Sequence, residues 1–381
     1  MKTTDFLVRR RQFVQRLSLG LGAALVGLPL FSSEARPQGR KLGIALVGLG
    51  GYSKGQLAPA LQETKNCYLA GIVTGSPEKV PEWRQKYNIP EKNVYSYETF
   101  DQIKDNPAID IVYVVLPNAL HAEYVVRAAK AGKHVICEKP MATTAADCRR
   151  MIEACRTAGK KLSIGYRLHF EPHNLEMMRL GQQKVYGPIK KLESDNGFTM
   201  GKNERPWRIQ KKLSGGGPLM DMGIYSVQGV IYTKGALPVS VTANYPKETR
   251  PEQFNEVEES INWQFKFADG STADCRTSYT ESMSRLRAEA ANGWFELQPA
   301  FGYGGLKGDT SKGKMDKQNV NQQARQMDDF ASCILQNKAT RVPGEMGLRD
   351  VQLLEAIYRA ADTGKAVSTK DIAQVLDRVG K

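Results

Sequence analysis

The segment "KLGIALVGLGGYSKGQLAPAL", residues 41–61, decides the first half of the fold. Its apolar run at residues 44–47 predicts a buried strand, and a helical pattern begins near Ser53. The turn between them resembles a dinucleotide-binding turn, in which Gly48 permits the tight bend and Gly50 permits close approach of a pyrophosphate. The third glycine position holds Ser53, which is small enough for the helix to pack on the strand.

The second predicted strand, "CYLAGIVT", ends where such a fold contacts the ribose of its ligand. NAD-selective sites usually carry a carboxylate there, whereas this chain has Thr74, Gly75 and Ser76, and its first acidic residue is Glu78. The neighbouring Lys79 supplies a cation that suits a 2′-phosphate, although it could also be a solvated helix residue. The pattern favours NADP over NAD.

Strand-like and helix-like segments then alternate. Residues 108–117, 133–137 and 160–166 predict strands, and residues 120–132 predict an amphipathic helix. This alternation indicates a parallel, doubly wound sheet, in which ligands bind beyond the carboxyl ends of the strands. The sequence therefore places "LPN" at residues 116–118 and "EKP" at residues 138–140 beside one crevice.

From about Tyr166 the pattern changes to longer strands with alternating apolar and polar residues. The run "INWQFKF" at residues 261–267 alternates in this way, and Asp269 and Gly270 then predict a hairpin turn. The predicted fold class is α/β: a Rossmann dinucleotide-binding domain, followed by an α+β domain with a large, mainly antiparallel open sheet. The expected boundaries are residues 37–165 and 166–381.

A glycine-rich segment, "LSGGGPLMDMGIYSVQGVIY" at residues 213–232, interrupts the predicted strands. Pro218 is a favourable first residue of a helix. On that helix Asp221 and Tyr225 would lie four residues apart on one face, where they could act together or simply pack.

Composition narrows the possible functions. The chain has 381 residues, a net charge of +14 and 25% charged residues, which suits a soluble protein of two domains. Its basic residues are dispersed and accompany no nucleic-acid-binding motif, so no nucleic-acid partner is expected. The six cysteines have neither metal-site nor regular spacing, so no metal is expected and we interpret them as buried thiols.

The first 36 residues predict an export signal. The run "RRRQFVQ" at residues 9–15 precedes an uncharged apolar stretch, and Arg10 and Arg11 resemble a twin-arginine signal. A basic tail with a membrane anchor is the alternative, but the apolar run is short for a bilayer span of about 20 residues. We expect a periplasmic protein with no membrane association beyond export.

Four long segments resemble the glucose–fructose oxidoreductase and inositol dehydrogenase (Gfo/Idh/MocA) family, and most closely its glucose–fructose oxidoreductase branch. The resemblance extends from about Lys41 to Val367. The segments are "AGKHVICEKPMATTAADCRRMIEA", "KKLSIGYRLHF", "GGGPLMDMGIY" and "VPGEMGLRDVQLLEAIYRAADTGK".

The resemblance implies a set of site residues. The catalytic residues would be Lys139, Asp221 and Tyr225. The substrate-binding residues would be Tyr166, Arg167, His169, Trp207, Arg208, Asp221 and Tyr225. Together with the strand-end analysis it gives the cofactor-binding residues Gly48, Gly50, Gly51, Tyr52, Thr74, Gly75, Ser76, Lys79, Leu116, Pro117, Asn118, His121, Glu138, Lys139 and Arg167.

The implied reaction is oxidation of an aldose at C1 to its lactone with NADP, with the hydride then passed to a second sugar. Tyrosine is a weak base because its ordinary pKa is about 10, and an ammonium group nearby would favour the phenolate. A simple NADP-dependent dehydrogenase, an NAD-dependent glycosidase and a non-catalytic sugar sensor are the alternatives. The glycosidases have His-rich sites, whereas this chain has four histidines in all. Glucose–fructose oxidoreductase has a long proline-rich arm before its first strand, whereas only "RPQGRKLG" separates the expected cleavage site from Ile44 here. We therefore expect a homodimer or a homotetramer not tied by such an arm, and favour a dimer built on the open sheet face.

Overall fold

The protein is described by a computed structural model over residues 39–202, 204, 206–372 and 374–376. The predicted export signal at residues 1–36 lies outside these ranges. The described part of Arg40–Lys381 forms one compact unit.

The first sheet has six parallel strands in the order β3-β2-β1-β4-β5-β6. Its strands are β1 (Leu42–Val47), β2 (Cys67–Val73), β3 (Val94–Tyr95), β4 (Ile111–Val114), β5 (His134–Cys137) and β6 (Leu162–Ile164). Apolar clusters cover both faces of this sheet, which explains why its strands are continuous apolar runs in the sequence. The chain reverses its winding direction between β1 and β4, where the carboxyl ends of the strands form a crevice.

Helices and short helical turns connect these strands. The longer ones are Val80–Tyr87, His121–Lys130 and Ala145–Thr157. The helix after the glycine turn starts as a π-helical turn at Ser53–Leu57 and continues at Ala58–Ala60. Short 3₁₀ turns occupy Pro77–Lys79, Glu91–Asn93, Phe100–Asp105, Asn118–Leu120 and Arg167–Phe170.

The second sheet has nine strands in the order β14-β13-β12-β11-β7-β10-β9-β8-β15. They are β7 (Ile189–Gly197), β8 (Ser240–Asn244), β9 (Ser260–Lys266), β10 (Thr272–Ser278), β11 (Met283–Ala290), β12 (Gly293–Leu297), β13 (Gly308–Thr310), β14 (Gly313–Met315) and β15 (Val367–Ser368). Neighbours are antiparallel except β7 and β10, which pair in parallel. The predicted fold class is confirmed, including the hairpin at Gly270, whose φ is +84°.

Further helices pack between and around the sheets. They are Pro172–Gln182, Lys211–Ser214, Ile224–Lys234, Gln322–Leu335 and Gly344–Thr363, with short turns at Trp207–Ile209 and Leu219–Gly223. Helix Ile224–Lys234 is buried along nearly its whole length. Helix Gln322–Leu335 follows the second sheet in the chain but packs on the first, where Met327 and Phe330 join the cluster around β1 and β2. Two buried side chains of this helix therefore complete the apolar cluster on one face of the first sheet.

The six cysteines are free and buried, which confirms their interpretation as buried thiols. Over the described ranges, no helix combines the length and apolar character that a membrane crossing requires.

Candidate active site

A cleft of about 730 Å³ lies at the carboxyl ends of β1, β4 and β5, facing the turn Leu219–Gly223. Sixteen of the predicted site residues line it, so residues from both halves of the chain meet in one place. They are Gly48, Gly50, Gly51, Tyr52, Thr74, Ser76, Lys79, Leu116, Pro117, Glu138, Lys139, Arg167, Trp207, Arg208, Asp221 and Tyr225.

Three predicted cofactor-binding residues do not line the cleft. The ring nitrogens of His121 lie 2.9 and 2.8 Å from the carbonyl oxygens of Pro140 and Leu116, and the side chain is fully buried. The Asn118 amide donates to the Ser214 carbonyl at 2.8 Å. Gly75 packs against the Tyr97 ring, and a Cβ at residue 75 would lie 2.8 Å from that ring. His121 and Asn118 thus hold backbone around the cleft.

Two predicted substrate-binding residues, Tyr166 and His169, are also outside the cleft. Both are buried, and their rings lie 6.0 Å apart. The 3₁₀ turn Arg167–Phe170 directs successive side chains in different directions, so Arg167 lines the cleft, whereas Tyr166 joins the apolar core and His169 packs on the Tyr232 ring of that core. Adjacency in sequence did not reveal which of the three faces the ligand.

The glycine turn fits the pyrophosphate of a dinucleotide. Gly48 has a φ of +96°, and a Cβ there would lie 2.4 Å from the Val115 carbonyl oxygen. At Gly50 and Gly51 a Cβ would meet nothing within 4 Å, so the backbone is open to a ligand. Ser53 is buried, and its hydroxyl donates to the Gly48 carbonyl at 2.6 Å, which fixes the turn.

The end of the cleft beside β2 fits a 2′-phosphate. Thr74 Oγ1 accepts the Ser76 backbone N–H at 3.0 Å. Lys79 Nζ lies 3.4 Å from the Leu49 carbonyl oxygen, so its ammonium group extends over the glycine turn. Among the described residues, no carboxylate of the segment after β2 lines the cleft. A cation and hydroxyls attract a phosphate, whereas the carboxylate with which NAD-selective sites bind the ribose 2′-hydroxyl is absent from the described residues that line this part of the cleft.

The Lys139 ammonium group occupies the opposite end of the cleft. It follows β5, and the peptide bond to Pro140 is cis. Its Nζ donates to the Asp221 carbonyl oxygen at 2.7 Å and to Asp221 Oδ1 at 3.2 Å. It also lies 4.6 Å from the centre of the Tyr225 ring. The three predicted catalytic residues therefore form one cluster.

Asp221 is held as a carboxylate by three donors. Besides Lys139, Arg208 Nε and the Tyr279 hydroxyl donate to its Oδ2 at 2.9 and 3.2 Å. Burial, the largest single effect, raises the pKa of Asp221, but the Lys139 and Arg208 cations outweigh it, so that the net pKa is lowered. A carboxylate that is ionised and already accepts three hydrogen bonds is suited to positioning Lys139 and is poorly suited to removing a proton.

Tyr225 lies between two cations. Its ring centre is 4.6 Å from Lys139 Nζ and 5.0 Å from Arg167 Cζ. Lys139 follows β5 and Arg167 follows β6. The residue is 8% exposed and lines the cleft, so its side chain can contact a ligand there. A tyrosine at the cleft with two cations beside its ring is a candidate for the acid/base group of a proton transfer.

Glu258 fixes the start of the segment that carries Asp221 and Tyr225. Its carboxylate accepts the backbone N–H groups of Gly217 and Leu219 at 2.9 and 3.1 Å, and the Tyr358 hydroxyl at 2.8 Å. A Cβ at Gly217 would lie 2.3 Å from the Glu258 carbonyl oxygen, and one at Gly216 would lie 2.1 Å from the Tyr358 hydroxyl. Gly216 and Gly217 of the glycine run at residues 215–217 leave no room for a side chain, because their backbone packs directly on Tyr358 and Glu258.

Several lining residues were not found from the sequence, since most belong to loops without a distinctive pattern and the others are apolar neighbours of predicted site residues. They are Leu49, Tyr97, Val115, Phe198, Met200, Glu204, Pro206, Met222, Phe301, Gly302 and Tyr303. Glu258 and Tyr279 were missed as well, because they act from the sheet on residues distant in sequence.

Comparison with known proteins agrees with this architecture. Residues 42–166 match the oxidoreductase family with an NAD-binding Rossmann fold, and residues 175–295 match the GFO/IDH/MocA C-terminal domain. The chain belongs to the Gfo/Idh/MocA oxidoreductase family, which confirms the predicted resemblance.

Individual members of the family share much of the chain. An aldose–aldose oxidoreductase from Caulobacter crescentus, solved with glycerol, is 44% identical with a TM-score of 0.84, covering 86% of this chain and 100% of that one. A D-xylose 1-dehydrogenase [NADP(+)] from Haloarcula marismortui is 28% identical over 341 residues, 85% of this chain and 92% of that protein. A D-glucoside 3-dehydrogenase from Escherichia coli is 28% identical over 279 residues, 68% of this chain and 79% of that protein.

Proposed function

We propose that this NADP-dependent sugar oxidoreductase oxidises an aldose at C1 to its lactone and transfers the hydride to a second sugar. The observation that carries the proposal is the Lys139–Asp221–Tyr225 cluster, at one end of a cleft whose other end fits a 2′-phosphate. Similarity to an aldose–aldose oxidoreductase and to an NADP(+)-dependent xylose dehydrogenase supports it.

Bound NADP supplies the hydride-accepting and hydride-donating chemistry. The side chains of the protein handle the proton and the geometry. Tyr225 accepts the proton of the C1 hydroxyl as the hydride leaves C1, and the product is the lactone. Lys139 stabilises the phenolate form of Tyr225, and Asp221 fixes the position of Lys139 by accepting from its ammonium group.

The second half of the reaction uses the same groups in reverse. A second sugar in its carbonyl form receives the hydride at the carbonyl carbon, and Tyr225 returns the proton to the carbonyl oxygen. The products are one lactone and one alditol, so that no oxidant beyond the second sugar is consumed. Lys139, whose ammonium group lies 4.6 Å from the Tyr225 ring, has the same role in both halves.

The alternatives differ in what they require of the site. An NAD-dependent glycosidase of this fold would use a His-rich site, whereas none of the described residues that line the cleft is a histidine. A simple dehydrogenase would use the same cluster but would exchange its cofactor with the solvent in every turnover. Cofactor exchange therefore distinguishes the two oxidoreductases.

The near-ultraviolet absorbance of NADPH tests the proposal. We expect that an aldose unable to act as its own acceptor produces about one equivalent of NADPH on the enzyme and that turnover then stops. Adding a second, reducible sugar should discharge that absorbance and restore lactone formation. Steady accumulation of free NADPH, unaffected by the second sugar, would instead establish a simple dehydrogenase.

The preference for NADP should depend on Thr74. Thr74→Asp places a carboxylate beside the expected 2′-phosphate, so we expect NADP binding to weaken and NAD binding to improve. One lost charge-assisted contact is worth about 1.5–3 kcal/mol, or roughly 10–150-fold in the dissociation constant. Titration of both cofactors against protein fluorescence measures the change.

Lys79→Met tests the same site by removing its cation, and Lys86→Met is the matched control. Lys86 lies on the adjacent helix Val80–Tyr87 and does not line the cleft. The first variant should weaken NADP binding but not NAD binding, and the control should affect neither. Equal binding of both cofactors by the wild type would refute the assignment of this end of the cleft.

We propose export through the twin-arginine pathway to the periplasm, on the strength of the run at residues 9–15 and the apolar stretch after it. Replacing Arg10 and Arg11 with Lys should leave the protein in the cytoplasm, because twin-arginine recognition needs the guanidinium groups. Cell fractionation measures the result. Unchanged periplasmic recovery of a variant that also lacks Arg9 would show that another route exports the protein.

A further inference from the structure

Tyr303 is an exposed aromatic residue at the cleft, and the proposed chemistry does not use it. It is 49% exposed and follows β12 in a segment rich in glycine. Its ring centre lies 5.7 Å from that of Tyr52 and 4.4 Å from Arg167 Cζ. An exposed tyrosine with two specific partners at a ligand cleft indicates a binding role.

The pair Tyr52–Tyr303, here called the cleft clamp, joins opposite walls. Tyr52 directly follows the glycine turn after β1, on the first sheet, whereas Tyr303 comes from the second sheet. Tyr52 lines the same cleft as Glu138 and Tyr225 and directly follows the glycine turn, so the turn and the catalytic cluster share the cleft with it. A dinucleotide that extends from the turn to that cluster has to lie against the clamp.

Arg167 fixes the backbone beneath Tyr303. Its guanidinium group donates to the carbonyl oxygens of Phe301 and Gly302 at 2.6 and 2.9 Å, and to Gln322 Oε1. On the other side of Tyr303, a Cβ at Gly304 would meet nothing within 4 Å. The base of the clamp is therefore anchored, while the Tyr303 side chain itself is 49% exposed.

We propose that the cleft clamp slows release of the bound nicotinamide cofactor and so favours its reuse by a second sugar. The clamp is built within one chain, so retention needs no arm from a neighbouring subunit. The inference rests on the proposed function for the reuse of the cofactor by a second sugar, whereas slow release of the cofactor does not depend on it. It assigns to Tyr303 a positioning role toward the cofactor and none in proton transfer.

The test measures cofactor release directly. Full-length protein loaded with NADPH is mixed with excess NADP⁺, and the loss of bound-NADPH fluorescence gives the release rate. We expect Tyr303→Ala to release NADPH about tenfold faster, because it loses an aromatic pair and a cation–π contact. Tyr303→Phe keeps both ring contacts and should stay within about twofold of the wild type.

Tyr52→Ala should accelerate release about as much as Tyr303→Ala, and the double variant little more, since the two residues share one contact. Tyr68→Ala is the matched control: Tyr68 is 41% exposed at the start of β2 and does not line the cleft. Release from Tyr303→Ala within about twofold of the wild type would refute the clamp. Failure of the wild type to bind NADPH would instead refute the proposed cofactor.

Discussion

Replacing Tyr225 with Phe is expected to lower the turnover number for sugar oxidation about 10²–10⁴-fold, because the reaction loses the group that accepts the hydroxyl proton. The change removes one oxygen, so the ring contacts of Tyr225 with Lys139 and Phe301 remain. The fold and NADP binding should therefore survive. Steady-state kinetics with cofactor occupancy checked by absorbance measures the effect.

Tyr232→Phe is the matched control for this variant. Tyr232 lies on the same helix, Ile224–Lys234, but its buried hydroxyl donates to Asn174 and does not line the cleft. Loss of this hydroxyl should lower the stability of the fold, while the turnover number stays within about twofold of the wild type. If Tyr225→Phe retains more than about a tenth of wild-type turnover, Tyr225 is not the general base and another group accepts the proton.

Lys139→Met is expected to lower turnover by a similar factor, about 10²–10⁴, and to move the rising limb of the pH–rate profile to higher pH. Burial, the largest effect, lowers the pKa of Lys139, but the charges of Tyr225, Asp221 and Glu138 outweigh it and raise the net pKa. Lys139 therefore remains an ammonium group across the assay range of about pH 5 to about pH 10. The displaced limb would reflect loss of the cation that favours the phenolate.

The double variant, Lys139→Met with Tyr225→Phe, should be little worse than either single variant, because the two residues act as a unit. The competing interpretation is that Lys139 only supports the cofactor. In that case Lys139→Met would weaken NADP binding while the pH–rate profile stayed where it is. Turnover and NADP affinity measured on the same preparations distinguish the two roles.

The parts of the site that depend on local backbone were predictable from the sequence. A strand, a glycine turn and a helix in succession determine where a pyrophosphate can bind, so Gly48, Gly50 and Gly51 were identified and line the cleft. Lys139 was placed there because the carboxyl ends of parallel strands share one edge of the sheet. The helix predicted to begin at Pro218 is less regular than the sequence pattern suggested, because its first part, Leu219–Gly223, is a π-helical turn.

The contributions of distant segments were not predictable. Glu258 contacts the glycine run from two residues before β9, and Tyr279 reaches Asp221 from the residue after β10. Neither is marked by periodicity, because strand pairing alone brings them to the site. The parallel pairing of β7 with β10 has the same origin, since pairing across the intervening helices leaves no local pattern. The export signal and self-association remain predictions.

An aldose carrying deuterium at C1 tests the central claim most directly. It is incubated with the enzyme, an unlabelled second sugar and excess unlabelled NADPH in solution, and both sugar products are analysed by mass spectrometry. Direct transfer between sugars within one enzyme predicts that, after the first turnover, each lactone formed is matched by one deuterium in the alditol. Unlabelled alditol, with the deuterium found in the NADPH of the solution, would contradict it.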